Sequence, residues 1–362
     1  MEAKVYWIDV SLKKIQRANV DGSCVEDVVS DLPSPSALAL QPGAKCQLLW
    51  SDLQLRRVLR RSAEPGEEEV EVLVEGLTAP TGSSLTLDGP RILWPDLSLK
   101  QICVAEPGGE AKALVKNLQS PNSVAVGDGQ VYWGDFGTRK IHKLSTSGGS
   151  NEVIAPYGKN STSLVVDTAR GKLYWTNFGT NAIYRANLDG RDMQPLITDL
   201  ESPSALALAS KAGKLYWLER PRGKLRRASV EGSQVEDVLS NLPDPWALAV
   251  LDVGEAQVVP IEKYSWTDEG EVLKVYISES SNPAAVAAAG SAGCLLSVDF
   301  QPRGFTLTVR SDGPQFQLRI LGLLQEVLPE KCKVRLSVGK RITLSLAKKD
   351  PKTAWSALCH RS

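Results

Sequence analysis

Six tetrads decide the fold: YWID at 6–9, LWSD at 49–52, LWPD at 93–96, YWGD at 132–135, YWTN at 174–177 and YWLE at 216–219. Their tryptophans, Trp7, Trp50, Trp94, Trp133, Trp175 and Trp217, stand 43, 44, 39, 42 and 42 residues apart. An apolar residue follows each Trp in phase: Ile15, Val58, Ile102, Ile141, Ile183 and Leu225. Ahead of later tetrads lie a turn and an alternating apolar run, as in SPSALAL at 34–40, SPNSVAV at 120–126 and SPSALAL at 202–208. A period near 42 with several short strands per unit is the pattern of a β-propeller blade. A helical repeat of similar period fails, because Val, Ile, Tyr and Trp recur at period two with no helix-length amphipathic stretch. The copies IQRANVDGS (15–23) and IYRANLDGR (183–191) place Asp-Gly at a hairpin turn.

The phase also says how the ring closes. The chain enters on the YWID strand, and the array ends with PDPWALAVL at 243–251, a copy of the strand that precedes a tetrad. Trp246–Leu251 is therefore expected beside Val5–Asp9, giving six blades with both chain ends in one blade and no free edge at the seam.

The tetrads, their spacing and their number resemble the YWTD β-propeller of the LDL-receptor family over residues 4–251. In that family the aromatic pair packs between blades and the Asp bonds across them. The resemblance assigns those structural roles to Tyr6, Trp7, Asp9, Trp50, Asp52, Trp94, Asp96, Tyr132, Trp133, Asp135, Tyr174, Trp175, Tyr216 and Trp217. Leu49, Leu93, Pro95, Asn177 and Glu219 depart from the motif, and Pro95 removes a ladder donor.

In four-stranded antiparallel blades, the loop after the tetrad and the loop entering each blade share one face. That face carries Lys13, Lys14, Arg56, Arg57, Lys100, Arg139, Lys140, Arg220, Arg222 and Lys224, with Phe136 and Phe178 as apolar neighbours. It is a candidate surface for an acidic protein segment; the plain alternative is a set of solvated strand starts.

Repeat phase stops near Leu251. Residues 252–262 are expected to be a linker, and 263–362 a second domain. Alternating runs at 263–268, 271–278, 294–300, 304–311, 315–321, 332–338 and 341–347 suggest a seven-stranded β-sandwich. The alanine-rich NPAAVAAAGSAG at 282–293 is expected to be a flexible loop. The opening YSWTDEGEVLKVYI and the run from Leu328 to Leu358, with LAKKD and a closing W-x-x-L, resemble the CS domain. Calcyclin-binding protein and related heat-shock protein 90 co-chaperones share that module. The resemblance implies client or chaperone binding through one sheet face, with Tyr264, Trp266, Tyr276, Lys331, Lys333, Arg335 and Lys340 as candidates.

Composition narrows the function. The 362 residues carry 42 basic and 42 acidic side chains, so no nucleic-acid footprint is expected. No apolar run has the length of a membrane span. Six cysteines without a CxxC, and no visible signal peptide, point to reduced thiols in the cytoplasm. Only His142 and His360 exist, and no nucleophile elbow, phosphate loop, zinc spacing or EF-hand loop is present. Asn160-Ser161-Thr162 is a glycosylation sequon without meaning in that compartment. The expectation is a non-enzymatic adaptor without cofactor or metal, its propeller holding a protein partner and its CS-like domain linking to heat-shock protein 90. An extracellular or receptor-derived ligand-binding propeller is the alternative, and a metal-dependent propeller hydrolase is disfavoured by the shortage of histidine.

Overall fold

The computed structural model describes residues 3–43, 45–64, 69–78, 84–158, 160–252, 258–291, 294–310 and 315–359. The linker residues 253–257, the end of the 282–293 segment and His360 lie outside them. Among the described residues the chain is all-β apart from one short α-helix and two 3-10 turns, and it divides into two compact units, 3–254 and 255–362.

The first unit repeats one four-stranded antiparallel sheet. It opens with β1 (Lys4–Asp9), β2 (Lys14–Asn19) and β3 (Glu26–Val29). Then come β4 (Pro35–Gln41), β5 (Gln47–Asp52), β6 (Arg57–Ser62) and β7 (Glu71–Val74). The third sheet is β8 (Thr86–Asp88), β9 (Arg91–Asp96), β10 (Gln101–Ala105) and β11 (Lys112–Val115). The fourth is β12 (Pro121–Gly127), β13 (Gln130–Asp135), β14 (Lys140–Ser145) and β15 (Glu152–Pro156). The fifth is β16 (Ser161–Asp167), β17 (Lys172–Asn177), β18 (Ala182–Asn187) and β19 (Gln194–Ile197). The sixth is β20 (Pro203–Ala209), β21 (Lys214–Glu219), β22 (Lys224–Ser229) and β23 (Glu236–Leu239). Finally β24 (Pro245–Leu251) returns to the first sheet and pairs antiparallel with β1, Lys4 opposite Leu251 and Trp7 opposite Leu248.

Burial follows strand position. Every tetrad strand is buried at five of its six residues, on both faces, whereas outer strands such as β3 and β23 begin exposed. A strand buried on both faces needs a neighbouring sheet on each side, and the apolar clusters supply it. One joins Ile15 to Leu48 and Trp50 of the next sheet; another joins Ile183 to Leu215 and Trp217. The Asp-Gly hairpins explain their glycine here. At Gly22 and Gly190 φ is +86° and +82°, and a Cβ would strike the carbonyls of Val238 and Ile154 in the adjacent sheet.

The second unit is a sandwich of two four-stranded sheets. One holds β25 (Val258–Pro260), β28 (Leu295–Gln301), β29 (Gly304–Arg310) and β30 (Gln315–Leu321), in the order β25-β30-β29-β28. The other holds β26 (Ser265–Asp268), β27 (Val272–Ser278), β31 (Lys333–Ser337) and β32 (Arg341–Ala347), in the order β26-β27-β32-β31. Its core is the inward rows Leu273, Val275, Ile277 and Ile342, Leu344, Leu346 against Phe305, Leu307, Val309 and Phe316, Leu318, Ile320.

Three expectations need correction. The sandwich has eight strands among the described residues, not seven, and the extra one, β25, lies inside the segment expected to be a linker. Its parallel pairing with β30 and the buried Ile261 recruit that segment into the sheet; three residues are too few to show an alternating pattern. Residues 283–289 form a helix, α1, instead of a flexible loop. Pro283 stands in its first turn, alanine has the highest helix propensity, and Ala285, Val286 and Ala289 are buried in the core.

Candidate partner-binding surfaces

The tetrad residues build the frame of the first unit. Asp52 accepts from the Ser34 N–H at 2.9 Å, in the connection entering its sheet, and from the Leu55 N–H at 2.9 Å in its own turn. Asp135 does the same with Gln119 and Ser120 on one side and Thr138 on the other, and Asp9 with Asp244 and Leu12. Each buried carboxylate thus staples a connection to a turn. Asp96 shows its turn bond, from Leu99. The departures behave differently. Asn177 accepts from Gly179 and Thr180 of its own turn, while Glu219 reaches back to the Trp217 indole N–H and to Arg226 at 2.9 Å. Leu49 and Leu93 fill the tyrosine position as buried apolar groups, and Pro95 sits in β9 opposite Ile102.

Sequence reasoning missed a partner of the tetrad tyrosines. Tyr6, Tyr174 and Tyr216 stand opposite Arg17, Arg185 and Arg227 on the third strand. These arginines bond outside their own sheet: Arg17 to the Ala63 carbonyl, Arg227 to the Val20 carbonyl, and Arg185 to Glu231. The signal was present, since arginine follows at the same step in IQRAN, IYRAN and LRRAS. His142 stacks on Trp133, with ring centroids 5.2 Å apart, and its Nε2 lies 3.2 Å from Thr138 Oγ1.

Turns after the tetrads and connections between sheets meet at one end. The Leu53, Phe136 and Phe178 amides donate to the carbonyls of Ser34, Ser120 and Asn160. Every such turn ends in a left-handed residue: Lys13, Arg56, Lys100, Arg139, Asn181 and Gly223, with φ from 52° to 58°. The carbonyls of these residues accept from Leu32, Leu77, Leu118, Tyr157, Leu200 and Leu242. The four cations among them therefore also hold a repeated backbone joint.

The predicted basic residues divide into two sets. Lys14, Arg57, Arg220 and Lys224 pair with Asp27, Glu75, Asp244 and Asp237 at 2.5–2.9 Å, and Arg222 pairs with Glu201. The Lys14 and Lys224 ammonium groups hold the Asp27 and Asp237 carboxyls below the usual range. Arg56 donates to the Leu77 carbonyl. Lys13, Lys100, Arg139 and Lys140 have no ion pair among the described residues.

Between these turns opens a cavity of about 410 Å³. Its wall includes Phe178, Arg220, Pro221 and Trp246, with Asn122, Thr162, Ser202 and Ser204 also lining it. The Arg220 guanidinium lies 4.4 Å above the Trp246 ring and is oriented by Asp244. A second cavity of about 700 Å³ is lined by the innermost strands of all six sheets, β4, β8, β12, β16, β20 and β24. Asn122, Thr162, Ser204 and Trp246 stand one position into four of those strands, so the smaller cavity lies toward the start of those strands.

In the sandwich the structure separates the candidates. Trp266 lies on β26 and Tyr264 just before it, both packed against the core. Tyr276 lies on the outer face of β27, with the Arg341 guanidinium 5.0 Å above its ring. Lys331, Lys333, Arg335 and Lys340 gather on and beside β31, at the far edge of the sheet. Asp268 fixes the C-terminal segment: it accepts from Lys348 Nζ at 3.0 Å on both oxygens and from the Trp355 amide at 3.0 Å. Those donors, the Trp355 amide foremost, hold its carboxyl below the usual range.

Among the described residues no cluster of three or more His, Cys, Asp or Glu could hold a metal ion, and no helix is long and apolar enough to cross a membrane.

The arrangement is that of a YWTD repeat unit followed by a CS-type sandwich. Residues 3–40 match the low-density lipoprotein receptor repeat class B family, and residues 262–348 match the CS domain. The chain is 26% identical over 126 residues to the vitellogenin receptor Yl of Drosophila melanogaster, covering 34% of this chain and 6% of that protein. It is 36% identical over 73 residues to low-density lipoprotein receptor-related protein 4 of Mus musculus, covering 19% of this chain and 4% of that one. The chain thus spans a small fraction of these relatives. A crystal structure of a nidogen/laminin complex matches 68% of this chain and 98% of its own with a TM-score of 0.60 at 20% identity, which shows a shared fold.

Proposed function

We propose that this chain is a non-enzymatic protein-interaction adaptor of the cytoplasm. Its first unit is a closed six-bladed propeller that binds a protein partner at the mouth of its central channel. Its sandwich couples that partner to heat-shock protein 90. Closure is supported by the β24–β1 pairing, by six inner strands around one cavity, and by the close approach of Gly22 to Val238. The observation that carries the binding reading is the mouth cavity, where Trp246, Phe178 and Arg220 offer aromatic surface beside an oriented cation. Such anchors dominate protein interfaces. Lys13, Lys100, Arg139 and Lys140 add positive charge on the same end, which favours an acidic partner. Cytoplasmic residence is supported by Cys46 and Cys103, which serve as small apolar groups in two separate inter-sheet clusters and whose thiols burial pushes up to about 11.

Cross-linking capture with the full chain tests the propeller arm. Trp246→Ala with Phe178→Ala removes the captured partner, and reversing the charge of Arg56, Arg57, Arg139 and Lys140 weakens capture at low salt. Capture unchanged by both variants would sink the assignment.

The receptor relatives favour a second reading, a ligand-binding propeller from an extracellular protein. Counting thiols in denatured protein from its native source separates the two. Six reactive thiols support the cytoplasmic reading, and fewer support the other.

A further inference from the structure

One side of the sandwich ends, among the described residues, in two strand edges that no further strand pairs. β28 and β31 are outer strands, each paired along one edge only among the described residues. The 3-10 turn Pro329–Lys331 that leads into β31 touches β28, so the two edges lie on the same side. Val334 and Leu336 stand opposite the fully buried Leu344 and Ile342 and face inward. Leu296, Val298 and Phe300 of β28 stand opposite Val309, Leu307 and Phe305 and face inward too. All five pack against the core yet remain only partly buried. On the opposite side, by contrast, the Trp355 segment is bonded to β26 through Asp268.

The outer face of β31 carries charge. Lys333 and Arg335 stand opposite Ser345 and Thr343, are exposed, and are flanked by the exposed Lys331 and Lys340. None of these four side chains has an ion pair or hydrogen bond among the described residues.

We propose that the free edge of β31 accepts an added strand from a partner protein, an extended segment in which apolar residues alternate with Asp or Glu. The alternation follows from the pleat. Apolar side chains of the added strand continue the row of Val334 and Leu336 and cover Leu296, Val298 and Phe300. The intervening acidic side chains stand beside Lys333 and Arg335 as cross-strand pairs. A second β31 edge does not fit, because self-pairing sets cations against cations. The charges that guard the edge against self-association thus select an acidic strand.

The proposal deepens the protein-binding reading of the sandwich and rests on it. Fluorescence anisotropy with the full chain tests it, using a labelled octapeptide of alternating Glu and Val. Controls are the same composition in two blocks and an alternating Lys–Val peptide. The expected result is at least tenfold tighter binding of the alternating acidic peptide than of the blocked one. In K333E/R335E, two exposed positions, that affinity falls at least tenfold and the Lys–Val peptide gains. Equal binding of the alternating and blocked peptides, or affinities indifferent to the charge reversal, overturns the proposal. If these peptides fail while the chaperone domain still binds, the edge-strand inference falls alone and the adaptor reading stands.

Discussion

At the scale of single residues, departures from the repeat come in matched sets. The fourth sheet ends in Tyr157 where the others place leucine, and the Tyr157 hydroxyl lies 2.8 Å from Ser123 Oγ. Its ring lies over Gly134, where any Cβ would collide with it. Glycine at the third tetrad position and tyrosine at the end of the sheet therefore require one another. Gly134→Ala is expected to cost about 1–3 kcal/mol by overpacking, and Tyr157→Leu in the same chain should recover part of the loss, both read by denaturant titration. His142 gives a pH signature. Burial lowers its pKa below the ordinary 6.5, against the opposing pull of Asp135, while Lys140 adds to the lowering. The folded state therefore favours the neutral ring. Its stability contribution is full above pH 6.5 and is lost as pH falls toward the lowered folded value. His142→Gln should flatten the unfolding free energy between about pH 7 and about pH 5 relative to the parent chain.

At the scale of elements, periodic patterns were legible and isolated ones were not. The tetrad strands repeat six times and the sandwich strands alternate strictly, so each was found by counting. Strand β25 has three residues and gains its place by pairing with β30, a tertiary effect with no local signal. Helix α1 was hidden by simple composition: an alanine-rich stretch reads as a flexible loop until something buries one face of it. Val286 does so, with no exposure to solvent. Val286→Asp should therefore lower the melting temperature of the sandwich markedly, since a buried unpaired carboxylate costs several kcal/mol. A true loop at this position would tolerate it. The predicted surface residues were legible as residue types, but their pairing was not. Lys14 with Asp27 and Lys224 with Asp237 recur 210 residues apart at equivalent positions. Such pairing depends on strand register, which charge counting along the chain does not contain.

At the scale of the whole molecule, two proposed interaction modules share one chain. The proposed ring closure of the first depends on β24, the only strand of its sheet that comes from the far end of the repeat array. Removing 245–251 strips β1 of its neighbour and exposes a sheet edge. The expected outcome is loss of cooperative melting or a fall of more than about 5 °C, with aggregation; unchanged melting would contradict ring closure. The adaptor reading is tested most directly by calorimetric titration of the full chain with the nucleotide-binding domain of heat-shock protein 90. The expected result is saturable one-to-one binding that survives Trp246→Ala and is weakened by a Lys333→Glu, Arg335→Glu double variant. Absence of binding heat from a chain shown to be folded would contradict the chaperone link and leave a scaffold of another kind.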